Sequence, residues 1–198
     1  MKTIAPDIQQ WSCFSQEKQM DFNGLVLTIN DHCILVDPPP MDAADRAAIL
    51  QGRAVDYILL TNRDHVRETE VCRREFKAPV YAPEADAPLM EISIDRTYKD
   101  GERLPGGLLA IHLNDMKSPG ESALLFDRGK GYLILGDSLI GKPPGQLNLL
   151  PADKFADVAK ARESLTRLLA YNFDTVLVGD GISILTGGKE AVQRAVEG

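Results

Sequence analysis

The sequence predicts an α/β domain made of two similar βα halves, and three observations carry that prediction. Short apolar runs of strand character alternate with helical stretches in the first and last thirds of the chain. A block made of strands alone lies between them. No Pro/Gly/Ser-rich linker separates these blocks, so residues 1–198 are expected to form one domain. At this length folding buries roughly 70% of the surface of the unfolded chain, enough for a core without metals or disulfides.

The elements follow in order. Asn23 and Gly24 open an apolar run from Leu25 to Ile29, and Asn30 with Asp31 turn the chain into a second run, Cys33 to Val36, closed by Asp37 and three prolines. This is hairpin chemistry. Met41 to Leu50 is Ala-rich with acids at its start and predicts a helix. Val55 to Thr61 reads as a strand that delivers the polar loop Asn62, Arg63, Asp64 and His65, the arrangement that carries sites in α/β proteins. A helix from Val66 to Phe76, with Val66, Cys72 and Phe76 facing inward, a strand from Ala78 to Tyr81 and a short helix from Ala85 to Glu91 come next. After a turn at Lys99 to Gly101, the runs Gly107 to Leu113, Ser122 to Phe126 and Gly131 to Leu135 form a meander. Ala152 to Tyr171 has helical spacing, Thr175 to Val178 is a buried-type strand ending in Gly179, Asp180 and Gly181, and Gly188 to Val196 predicts the last helix. The strand blocks at residues 23–61 and 95–137 are expected to supply two facing sheets.

Composition narrows the partners. With 29 acidic and 22 basic residues the chain carries a net charge of −7, which repels phosphate backbones, so no nucleic-acid partner is expected. Arg73, Arg74 and Lys77 read as a solvated helix face. Cys13, Cys33 and Cys72 are scattered with no Cys-x-x-Cys pair, which suits reduced thiols and a cytoplasmic location. No apolar run is long enough to cross a bilayer, so no membrane partner is expected, and the expected partner is a small-molecule ligand or substrate.

Several segments, taken together and in this order, resemble the metallo-β-lactamase superfamily. Tyr57 to Thr61 followed by Asn62-Arg-Asp-His-Val66 is similar to the strand and loop that carry the family's Thr-His-x-His-x-Asp-His motif. Ser118-Pro-Gly-Glu121 resembles its Thr-Pro-Gly-Ser stretch, Leu133 to Asp137 its strand ending in Gly-Asp, Val178 to Gly181 its final Gly-His, and Val36-Asp37 its early strand and Asp. The resemblance spans about residues 20 to 185. It implies a four-layer αββα sandwich, two mixed β-sheets packed face to face with helices outside.

Carried over residue by residue, the resemblance puts Asn62 and Asp64 at the first two ligand histidines, Val66 at the metal-binding Asp and Arg67 at a further His. A shifted register puts Asp64 and His65 on the family's Asp-His instead. Lys117 stands at the His before Thr-Pro-Gly-Ser, Asp137 keeps the bridging carboxylate and Asp180 replaces the last His. The chain has only three histidines, of which His32 falls in a hairpin turn and His112 in a strand, so a zinc pair is not expected.

Two arrangements then remain open for Asp64, His65, Asp137 and Asp180. One is a single harder cation such as Mg²⁺, Mn²⁺ or Ca²⁺ on an oxygen-rich site. The other uses Lys117, whose ammonium would itself balance the acids, as clustered buried carboxylates require a cation of some kind. Glu121 is expected beside Lys117, and the candidate catalytic residues are Asp64, His65, Lys117, Glu121, Asp137 and Asp180. The implied activity is hydrolysis of a small ester, thioester or lactone with an altered or absent metal site. The alternative is a non-catalytic relative that binds a ligand or a protein through the same cleft, its polar residues forming a salt-bridged plug.

Overall fold

A computed structural model describes residues 1–52 and 54–198. One sheet contains β1 (Lys2–Ala5), β2 (Ile8–Ser15), β3 (Met20–Ile29), β4 (His32–Val36), β5 (Tyr57–Leu59), β6 (Val80–Pro83) and β7 (Arg96–Tyr98) in that spatial order. Strands β1 to β4 pair antiparallel and β4 to β7 parallel. The second sheet is built from β8 (Leu109–His112), β9 (Ser122–Phe126), β10 (Tyr132–Leu135) and β11 (Thr175–Val178), in the order β11-β10-β9-β8. Only β10 and β11 are parallel in it, so both sheets are mixed. The helices are α1 (Ala43–Gly52), α2 (Thr69–Phe76), α3 (Val158–Leu165) and α4 (Gly188–Glu197).

The pleat of the strands sorts the core into three. Ile34 and Val36 of β4 meet Leu124 and Phe126 of β9, Ile134 of β10 and Leu177 of β11 between the sheets. The alternate residues Cys33 and Leu35 pack outward with Ile49 of α1 and Cys72 of α2. On the far side Leu125, Leu133, Leu135 and Val176 pack against Leu165 of α3 and Ala191 and Val192 of α4. Three interlayer cores mean four layers, helix on sheet on sheet on helix. Strands buried on both faces read as unbroken apolar runs, which is why β4, β9, β10 and β11 stand out in the sequence without alternation.

The structure differs from the sequence reading in several places, the helix expected from Ala85 to Glu91 among them, which is a 3₁₀ turn, Ala87–Leu89. Strands β1 and β2 were not expected, because Gln9, Gln10, Ser12 and Ser15 dilute the apolar signal. Only Ile8 and Trp11 of β2 enter the core, the indole Nε1 donating to the carbonyl oxygen of Pro39 at 3.2 Å. The boundary between the sheets falls after Tyr98, since β7 belongs to the first sheet. The helix expected from Val66 starts at Thr69, because Arg67 takes a left-handed conformation with φ 41°. The long helix expected from Ala152 is a 3₁₀ turn, α3 and a second 3₁₀ turn, with Asp157 capping α3 through Ala159 N and Lys160 N.

Parallel pairs β4-β5 and β10-β11 end at the same edge of the two sheets. Asn23 N donates to Gly179 O at 2.7 Å there, tying the sheets together. Ligand sites of α/β proteins form outside the carboxyl ends of such strands, and the polar residues gather there.

Candidate functional site

Asp37 follows β4, Thr61 follows β5, Asp137 follows β10 and Asp180 follows β11. Between β5 and α2 the chain makes a 3₁₀ turn, Arg63–His65, because the Asn62 side chain accepts from Asp64 N at 2.8 Å and His65 N at 3.1 Å. That turn aims the His65 imidazole inward. Its Nδ1 lies 2.8 Å from Asp37 Oδ2, and Asp37 is itself held by Thr61 N at 2.8 Å. His65 Nε2 lies 3.5 Å from Asp137 Oδ1 and 3.1 Å from Arg67 Nη2.

Two cations of the chain enter this cluster. Lys117 Nζ donates to Asp137 Oδ2 at 2.7 Å and pairs with Asp64 Oδ2 at 3.1 Å. The Arg67 guanidinium is ion-paired with Asp180, donates to Asn23 O at 3.0 Å and Gly179 O at 3.3 Å, and lies 4.9 Å from the Phe22 ring centroid. The left-handed backbone at Arg67, which delays the expected helix to Thr69, stands at the residue whose side chain turns back to the site.

The charges follow from these contacts. Burial and the Arg67 cation oppose a proton on His65, but the Asp37 and Asp137 carboxylates outweigh them and push the imidazole up to about 10. The short approach of Arg67 would suit a neutral ring accepting a hydrogen bond. Two carboxylates against one guanidinium already paired with Asp180 decide for the charged ring. Asp137 is held below the carboxylate range, against its burial, by His65 and Lys117. Burial opposes the charge on Lys117, yet Asp137 and Asp64 raise it. Asp180 is raised by burial despite His65 and Arg67.

Of the six residues singled out from the sequence, Asp64, His65, Lys117, Asp137 and Asp180 line one cleft of about 510 Å³. Glu121 does not. Its side chain is fully buried beneath the floor, where Oε1 accepts from Ser138 N at 3.0 Å and Oε2 has no hydrogen-bond partner, and no ion pair joins it to Lys117 among the described residues. Burial and then the nearby Asp137 charge push its carboxyl well above the usual carboxylate range. Glu121 closes the turn over Pro119 and Gly120, its N–H donating to Ser118 O at 3.3 Å. Glycine at 136 leaves the space for this packing, since a Cβ there would stand 2.4 Å from Thr61 Oγ1 and 3.0 Å from Glu121 Oε1.

Other parts of the site escaped the sequence reading. Asp37 was visible only as the end of a strand, with no sign that it would carry His65. The wall residues Met20 and Phe22 of β3 and Ile140, Leu150 and Pro151 of later loops, with the rim residues Lys18, Lys142 and Lys154, come from segments far apart in sequence. The donor atoms of His65, Asp137 and Asp180 all lie within 4.8 Å of one another, the spacing of a possible metal-ligand group.

The sequence matches the family model described as Metallo-beta-lactamase superfamily over residues 1–198. Solved structures agree on the fold. The DIM-1 metallo-beta-lactamase is 16% identical with a TM-score of 0.77, the match covering 98% of this chain and 96% of that one. A metallo-beta-lactamase from Pontibacter korlensis is 16% identical with a TM-score of 0.74, covering 97% of each chain. TTHA1623, solved in a di-iron-bound form, is 25% identical with a TM-score of 0.71, covering 91% of this chain and 96% of that one. No curated protein matches the sequence.

Proposed function

The chain belongs to the metallo-beta-lactamase superfamily, and from that premise we propose that it is a hydrolase-like member whose cleft binds a small molecule against two fixed cations, Lys117 and Arg67, instead of a metal pair. The observation that carries this reading is the pairing itself. Asp137 and Asp64 are engaged by Lys117, Asp180 by Arg67, and His65 stands between Asp37 and Asp137. A guanidinium stays charged at any working pH. Divalent ions would have to displace both cations to reach these donors. Zinc also prefers imidazole and thiolate, and the cleft offers one imidazole and no thiolate. The donor set therefore argues against a metal pair, and a single harder cation on Asp137 and Asp180 would still have to displace Lys117 and Arg67.

Binding, rather than turnover, is what this arrangement supports best. A general base has to be free to take a proton at the working pH. Here Asp137 and Asp180 are ion-paired, His65 is charged, and no Ser, Thr, Cys or Tyr lines the cleft among the described residues. A second reading, hydrolysis of a small ester, thioester or lactone, draws on a different observation. Lys117 and Asp64 keep about a third of their side-chain surface exposed, at 30% and 37%. An ammonium at the cleft can stabilise a developing oxyanion, and the open carboxylate beside it can orient water.

Metal analysis of protein purified without chelator, run beside an esterase, thioesterase and lactone panel, tests both. Sub-stoichiometric metal and no turnover are expected. A stoichiometric divalent ion overturns the fixed-cation reading, and turnover abolished by Asp64→Asn establishes the second.

A further inference from the structure

The lining of the cleft has a charge opposite to that of the whole molecule. Five lysine and arginine side chains, Lys18, Arg67, Lys117, Lys142 and Lys154, together with the charged His65 ring, face three acidic ones, Asp64, Asp137 and Asp180, in a chain of net charge −7. The three acids are already engaged at the floor by three cationic groups, Lys117, Arg67 and His65. The surplus is therefore at the rim.

The rim lysines are held there unequally. Among the described residues, the only acids paired with Lys18 and Lys154 are their neighbours in sequence, Glu17 at 2.7 Å and Asp153 at 3.3 Å, and all four side chains are at least half exposed. Such pairs contribute little and are easily exchanged. Lys142 has no carboxylate partner among the described residues; its ammonium donates to Lys18 O at 3.0 Å, which brings the loop after Asp137 against the β2-β3 hairpin and sets two amines on one side of the opening. Below them the wall is apolar, formed by Met20, Phe22, Ile140, Leu150 and Pro151. A cleft of about 510 Å³ is of the size that encloses a small organic molecule.

We infer that the ligand of this cleft is a small organic carboxylate, its anionic group at the Lys18 and Lys142 rim and its apolar body against Phe22, Met20 and Ile140. The inference rests on the small-molecule reading above and adds its chemical class. Phosphate is the poorer match: phosphate sites in α/β proteins are built from backbone N–H groups at helix N-termini or glycine-rich nests, whereas this rim offers flexible ammonium groups above an apolar wall. A neutral ligand would leave the surplus charge unused, and a cationic one would be repelled by it.

Calorimetric titration of the full chain tests this with four probes: octanoate, octanol, octylammonium and inorganic phosphate. Octanoate should bind saturably, at least ten-fold tighter than octanol, with no saturable binding of octylammonium or phosphate, and should weaken several-fold in high salt. Lys142→Gln and Lys18→Gln, checked for folding by circular dichroism, should each weaken octanoate about five-fold or more. Lys130→Gln, an exposed lysine outside the cleft, should leave it unchanged. Octanol binding as tightly as octanoate, or Lys142→Gln behaving like Lys130→Gln, overturns the inference while leaving the small-molecule reading in place. A stoichiometric metal in the purified protein overturns that reading instead, whichever probe binds.

Discussion

Lys117 is where a single side chain carries the most consequence. Its ammonium is the counter-charge of Asp137, which is 4% exposed, and of the more open Asp64. Removing one partner of a buried ion pair costs about 3–5 kcal/mol, and the partial exposure of this lysine places Lys117→Ala lower, on the order of 2 kcal/mol. Urea denaturation at neutral pH should show that loss, and added Mg²⁺ or Mn²⁺ should recover part of it, because an ion that binds only the folded state stabilises it by mass action. No recovery would mean that the acids do not form a cation site once the amine is gone. His65 gives the pH dependence. Its folded pKa is raised from 6.5 to about 10, so its contribution is fully present below pH 6.5 and fades as the pH rises toward 10. At about 1.4 kcal/mol per pKa unit this amounts to at most about 5 kcal/mol. Wild-type stability should fall between pH 7 and 9.5, and a His65→Gln variant should show a visibly flatter profile over that range. At this scale the sequence showed Lys117, Asp64 and Asp137 in place, because each sits in a recognisable segment. It could not show Arg67 reaching Asp180, since that contact depends on a left-handed backbone in a stretch whose residues favour helix.

Strand ends decide where these side chains meet. β4, β5, β10 and β11 were all legible as apolar runs, and each is followed within two residues by a polar group of the cluster. What those runs could not convey was the distance between the two sheets at their common edge, where Asn23 N meets Gly179 O and the imidazole of His65 lies against Gly179. A Cβ at 179 would stand 2.4 Å from His65 Cε1. Gly179→Ala should therefore push the ring off Asp37 and Asp137 and destabilise the protein by about 1–3 kcal/mol, the usual cost of overpacking. The imidazole proton resonances and the thermal midpoint should change together. A variant with the wild-type midpoint and an unmoved His65 would show that the edge is looser than its contacts imply. The unexpected strands β1 and β2 fit the same logic. Their polar outward residues hid them, yet β2 pairs along the full length of the β3 segment that brings Phe22 and Asn23 to the site.

Across the whole molecule, the two strand blocks supply opposite walls of one core. Leu27, Ile34, Val36 and Leu59 from the first sheet meet Leu124, Ile134 and Leu177 from the second. Neither sheet has another partner for that face, so either half alone would expose it to water. The helix layers are different, since each packs on only one sheet: Leu35 lies in the first outer core and Leu133 in the second. These relations predict a single cooperative unfolding transition, the behaviour of one domain. Leu35→Ala, Leu124→Ala and Leu133→Ala should each cost about 2–5 kcal/mol, the range for truncating a buried leucine. If the halves unfold together, all three should shift the same transition, seen alike by tryptophan fluorescence, which reports on Trp11 in the first sheet, and by far-ultraviolet circular dichroism, which reports on both. If instead Leu133→Ala lowers the dichroism transition and leaves the Trp11 signal where it was, the two sheets unfold independently, and the reading of residues 1–198 as one domain fails.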